Sequence, residues 1–197
     1  MRAIFYAWFL LLISACSNVH KKERLAPALS SWLPADTLAV AQYIDIHRAN
    51  KSWQLQAMLE GNAGGIKLLL MSELGQRLFL LDYDGEQLSN SKYVVVPMPF
   101  DEAYILQSLQ FSFWPDQALN ELEPLGYSFN FYEDGRREIF YKGELYAERV
   151  LIDGCDKKVE LHQYTYKFVL TIQSQNLLHQ TDKQGDYRAD DCIFPSH

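Results

Sequence analysis

The residues able to do chemistry are few and poorly spaced for it. Five histidines, His20, His47, His162, His179 and His197, are scattered along 197 residues with no pair at metal-ligand spacing, so they read as solvent-facing rings. Asp182, Asp186, Asp190 and Asp191 crowd the C-terminal end and could attract calcium. The glycine and glutamate spacing of a calcium loop is missing, and a solvated acidic face is the simpler reading. Gly61-Asn62-Ala63-Gly64-Gly65 is glycine-rich but lacks the Lys-Ser or Lys-Thr that would reach nucleotide phosphates, which leaves a hairpin turn. No Gly-x-Ser-x-Gly elbow occurs. The expectation is a non-enzymatic protein with no catalytic residue, metal or cofactor.

Cysteine carries what chemistry there is. Arg2 precedes an apolar run from Ala3 to Ile13, then Ser14-Ala15-Cys16, the layout of an export signal. Those 11 residues would make a helix of roughly 16 Å, about half a bilayer's hydrocarbon core, so the run is no anchor by itself. Ile13-Ser14-Ala15-Cys16 resembles a bacterial lipobox with isoleucine for the usual leucine. The resemblance implies that residues 1–15 are removed and that Cys16 carries palmitate-type acyl chains. Ser17, where aspartate would favour inner-membrane retention, implies the periplasmic face of the outer membrane. Cys155 and Cys192 remain in the exported body, where an oxidising compartment favours a disulfide. It would close a loop of 38 residues. A redox or metal role lacks CxxC spacing and a histidine pair.

Composition narrows the partners. Lys and Arg number 18 against 25 Asp and Glu, a net charge of −7, and removing residues 1–15 makes it −8. Such a surface repels phosphate backbones, which argues against nucleic acid and against a polybasic membrane contact. Aromatic residues make up 14%, which suits packing on a pleated sheet.

The elements that must position these residues form one domain over 36–197, after a Pro/Ala/Ser-rich tether over 16–35. Short runs at Leu38–Ile46, Trp53–Leu59, Ile66–Met71 and Arg77–Tyr83, separated by turn residues, predict an antiparallel meander. Leu78 and Leu80 oppose Phe79, Leu81 and Tyr83, which predicts cover on both faces. Tyr104, Ile105, Leu109 and Phe113 recur at helical spacing, giving a helix over about 101–112, and Pro115 opens a second over 115–122. Period two returns with Tyr127, Phe129 and Phe131, then Glu138–Tyr141 and Leu145–Ile152. Val159–Ile172 reads as one long strand able to curve round a barrel. The fold class is mainly β (α+β), with a central helical insertion at about 101–122.

That order of elements is similar to the outer-membrane lipoprotein receptor LolB and its carrier relative LolA. The resemblance implies an incomplete antiparallel β-barrel under a helical lid, whose apolar concavity takes acyl chains, and a periplasmic carrier protein as a possible partner. Leu68-Leu69-Leu70-Met71-Ser72-Glu73-Leu74-Gly75 matches the LolB segment that carries a protruding leucine, so Leu74 would face the membrane. Glu73 departs from the proline found there and sets a charge beside it. A closer resemblance, carried by Tyr104 to Pro115, Gly75-Gln76-Arg77-Leu78-Phe79 and Tyr164 to Thr171, is to bacterial lipoproteins of unknown function found with aryl polyene biosynthesis genes. On this footing Trp53, Phe79, Leu81, Phe113, Trp114, Phe129, Phe131, Tyr166 and Phe168 would line a cavity for an acyl or polyene chain. The alternative is that they fill a closed core and that the body binds a protein partner.

Overall fold

A computed structural model describes residues 27–94, 101–153 and 157–177. Ten antiparallel strands make one sheet. They are β1 (Leu38–Arg48), β2 (Lys51–Asn62), β3 (Gly65–Ser72), β4 (Arg77–Tyr83), β5 (Leu88–Lys92), β6 (Tyr127–Phe131), β7 (Arg137–Tyr141), β8 (Glu144–Leu151), β9 (Lys158–Gln163) and β10 (Phe168–Asn176). Their order, β5-β4-β3-β2-β1-β10-β9-β8-β7-β6, is two five-strand meanders joined where β1 pairs with β10. Among the described residues β5 and β6 are the edge strands and do not pair with each other, so the sheet stays open and no barrel closes.

Alternation puts the apolar side chains on one face, because successive residues of a strand point to opposite sides. Val40, Ile44 and Ile46 on β1, Leu55, Ala57 and Leu59 on β2, and Ile66, Leu68 and Leu70 on β3 are all buried. Leu170 and Ile172 on β10 and Val159 and Leu161 on β9 continue the same surface. The opposite face is mixed: Leu69 and Leu80 are half-buried, while Tyr43 and Met58 are exposed. Cover on both faces of β4, expected from its sequence, is thus only partial.

Two bulges break the alternation. Leu70 pairs with Phe79 and Met71 with Arg77, which leaves Leu78 as the extra residue, and Leu78 and Phe79 are both buried. Ile139 pairs with Ala147 and Phe140 with Leu145, so Tyr146 is extra and turns inward beside Ala147. An inserted residue that re-aims a side chain is the usual effect of a bulge.

Between the meanders lie helix α1 (Ala103–Phe113), the short helix α2 (Asp116–Asn120) and a 3₁₀ turn (Glu123–Leu125). The Asp101 carboxylate accepts the Ala103 N–H at 3.0 Å and caps α1, and Pro115 ends its ladder and precedes α2. Ser108 and Ser112 donate to the carbonyls four residues back, at 2.7 and 2.8 Å, which satisfies two hydroxyls inside an apolar environment.

Three expectations need correction. Val159–Ile172 is a hairpin, not one strand. Gln163 Oε1 accepts the N–H groups of Thr165 and Tyr166, and Lys167 turns the chain at φ +55°. The second helix stops at Asn120, and the 3₁₀ turn follows. The tether assigned to 16–35 is, from Ala28 onward, folded onto the body: Ser30 and Pro34 are buried, and Ala28, Leu29, Trp32 and Leu33 pack on the core. Among the described residues no helix is long and apolar enough to cross a membrane.

Candidate functional site

α1 lies against the apolar face of the sheet, and each of its eleven residues is buried. A helix with one bare side would leave that side exposed, so α1 is covered from both sides. The sheet supplies one cover. Residues 28–34, a strap without regular secondary structure, supply the other.

Helix side chains bind the strap by its main chain. Gln107 Nε2 donates to the Ala28 carbonyl at 2.9 Å, Gln110 Nε2 to the Ser30 carbonyl at 3.1 Å, and Trp114 Nε1 to the Trp32 carbonyl at 3.2 Å. Gln110 Oε1 also accepts the Ser30 N–H at 2.9 Å. Gln107 and Gln110 share one face of α1 and Trp114 follows as its C-cap, so the three side chains meet carbonyls 28, 30 and 32 in the same order along the strap. The Tyr83 hydroxyl sits 3.1 Å from the Ser30 carbonyl, and Ser30 Oγ donates to the Ala118 carbonyl at 2.9 Å. Trp32 meets Trp114 edge-on at 5.6 Å. The strap passes so close to Gly85 that a Cβ there would stand 3.1 Å from the Ser31 carbonyl.

Behind α1, toward β6–β9, lies an aromatic cluster. Phe111 is 5.8 Å from Tyr127, 6.1 Å from Phe129 and 6.1 Å from Tyr146, and Phe129 stacks on Phe131 at 5.9 Å. Hydroxyls thread through it: Tyr146 donates to Gln107 Oε1 at 3.1 Å, Gln107 Nε2 reaches Tyr127 Oη at 3.3 Å, and Tyr104 bonds Tyr166. Burial holds the Tyr104 phenol well above its ordinary pKa, and its bond to Tyr166 adds to the shift. Burial, then neighbouring tyrosine hydroxyls, do the same for Tyr146. These groups stay neutral donors at physiological pH.

The nine residues assigned from sequence to a hydrophobic cavity divide by burial. Phe79, Leu81, Phe113, Trp114 and Phe168 are buried in the core, and Trp53, Phe129, Phe131 and Tyr166 are half-buried beside it. Pairing sets them in inner-face rows: Phe129, Ile139, Ala147, Gln163 and Phe168 form one, and Trp53 lies opposite Ile46 in the next. Two surface clefts, of about 480 and 190 Å³, lie elsewhere. Thr37, Glu60, Lys67 and Asp82 line the first, and Tyr43, Gln54 and Glu73 the second.

Leu74 is 94% exposed at the tip of the β3–β4 hairpin, where Gly75 takes φ +77°. His162 stands 3.3 Å from Glu160 on the outer face and His47 is exposed; His20, His179 and His197 lie outside the described residues. So do Cys16, Cys155, Cys192 and the aspartate cluster. No cluster of metal-ligating side chains occurs among the described residues.

The strap's partners were missed from sequence. The signal was there in Gln107 and Gln110, three residues apart in a largely apolar helix, with Trp114 just past its end. Such polar groups, once buried, must find partners.

A family model described as "protein of unknown function (DUF3261)" matches residues 39–176. A solved Vibrio parahaemolyticus domain, described as an outer membrane lipoprotein-sorting protein, is 11% identical with a TM-score of 0.36, covering 74% of this chain and 86% of that one. No curated protein matches.

Proposed function

We infer that this chain, which belongs to the DUF3261 family of proteins of unknown function, is a non-catalytic lipoprotein that binds a hydrophobic acyl or polyene chain and helps move or seat it at the outer membrane. Cys16 would hold it to the periplasmic face, with Leu74 turned toward the membrane and a periplasmic carrier handing over the cargo. The observation that carries this reading is the open sheet, whose apolar inner face packs on a helix and ends in half-buried Trp53, Phe129, Phe131 and Tyr166. Apolar surface of this kind is stabilised by whatever excludes water from it, at about 0.8 kcal/mol per buried methylene of a bound chain. Flat, half-covered aromatics are the side chains through which such a chain could enter.

A second reading has its own observation. The interior is filled by α1, as expected of a protein-binding assembly factor with a solid core. One substitution separates the two. Phe129 is half-buried, so Phe129→Asp should fold, as circular dichroism would verify, and should lose uptake of a fluorescent polyene fatty acid. Unchanged uptake would contradict binding at this site. Phe168 is a poorer test position, because it is buried and a charge there would disrupt the core.

A further inference from the structure

We propose that residues 28–34 are a displaceable strap that gates the inner face, so that a hydrophobic ligand and the chain's own N-terminal segment compete for the same space beside α1. This rests on the lipid-binding reading above and adds its regulation.

The first argument is how the strap is held. A strand added to a sheet is fixed by a ladder of main-chain bonds. The bonds described for this strap each have a side chain at one end or at both: Gln107, Gln110, Trp114, Tyr83 and Glu121 on the body, or its own Ser30 and Ser31. Because none of these bonds belongs to the sheet's ladder, the strap can leave while the strands stay paired, a local opening short of global unfolding. The second argument is what the strap covers. Lifting it exposes the Gln107–Gln110–Trp114 face of α1, and with it the apolar surface now packed by Leu29, Trp32 and Leu33. A bound acyl chain would replace Leu29, Trp32 and Leu33 with methylenes, while the strap's carbonyls, and the Gln110 amide and Trp114 Nε1 that now bond its main chain, would turn to water or to the ligand's polar head. The third argument is connectivity. The strap is the folded continuation of the segment leading back to Cys16, so its release also lengthens the link between body and anchor.

The gate predicts that loosening the strap raises ligand affinity, because a ligand that binds only the open state is weakened by the fraction of time the strap is closed. The test uses the body from Ser17 to His197, with cis-parinaric acid as the probe. Gln110→Ala removes a paired contact from the helix side, and Trp32→Ala loosens the strap without altering the body beneath it. Both should bind the probe about three- to tenfold more tightly than the parent. Hydrogen exchange should show the Ser30 amide opening while the β1 and β2 amides stay protected. Ser30 exchange only together with the strands would overturn the gate, as would parent-level probe affinity in both variants. A strap that opens alone in a protein that takes up no probe, parent or variant, would retain the strap's independent opening and overturn the lipid reading instead.

Discussion

Tyr146 is buried because a bulge on β8 turns it inward, and its hydroxyl donates to the same Gln107 that holds the strap. Tyr146→Phe should therefore lower stability by about 1 kcal/mol, since Gln107 Oε1 loses its donor while the ring stays packed; urea unfolding would measure it. Trp114→Ala is the severe case. It removes a fully buried ring, the contact to Trp32 and the bond to the Trp32 carbonyl, and a loss of about 3–5 kcal/mol is expected in the same assay. The tyrosines also set a pH dependence. Tyr104 and Tyr146 have folded-state pKa values above the ordinary 10.0, so at alkaline pH the unfolded chain releases protons that the folded chain keeps. Stability should be level up to about pH 10 and fall beyond it. Urea midpoints at pH 8 and pH 11 would check this, and Tyr104→Phe should flatten the decline.

At the scale of elements, the turns carry strain that can be relieved. Ala49, between β1 and β2, sits at φ +52°, where an L side chain is disfavoured by about 1–2 kcal/mol. Ala49→Gly should stabilise the chain by up to about 1 kcal/mol, the unfolded-state entropy of glycine offsetting part of the relief; a higher urea midpoint would show it. Turns also mark where the sequence was hard to read. The β1–β4 meander was legible because its short apolar runs are separated by turn residues, Gly61 to Gly65 and Gly75 among them, and Asp84-Gly85 closes it. β9–β10 was not, because Tyr164 and Tyr166, inside the four-residue turn from Tyr164 to Lys167, extend the even-numbered alternation of Phe168, Leu170 and Ile172 and hide the switch from the odd-numbered inward residues Val159 and Leu161 of β9. The strap was opaque for a different reason: its Pro, Ala and Ser composition is that of a linker, and the side chains that fix it lie about 50 to 90 residues further along the chain. Both bulges were invisible for want of a local signal. Of the candidate site, the apolar residues could be named from sequence, but their division between core and rim depends on strand register.

For the whole molecule, the two meanders meet at β1 and β10, and the C-terminal end of the described chain lies there. Ser174 donates to the Lys157 carbonyl at 2.7 Å and Leu177 to the Ala39 carbonyl at 2.9 Å. Lys157 and Leu177 thus lie at one end of the sheet, close in sequence to Cys155 on one side and leading toward Cys192 on the other. The oxidised body should show no free thiol by alkylation and mass measurement, and Cys192→Ser should cost up to about 4 kcal/mol relative to it. Two alkylated cysteines would show the bridge absent. The central claim, that an open sheet around a removable cover serves a hydrophobic ligand, is tested most directly by native mass spectrometry with lipid extraction on the body purified from Ser17 onward without Cys16. The account predicts an acyl or polyene species co-purifying at close to one per chain. An empty protein that also refuses added fatty acyl probes would contradict it and leave the protein-partner reading in its place.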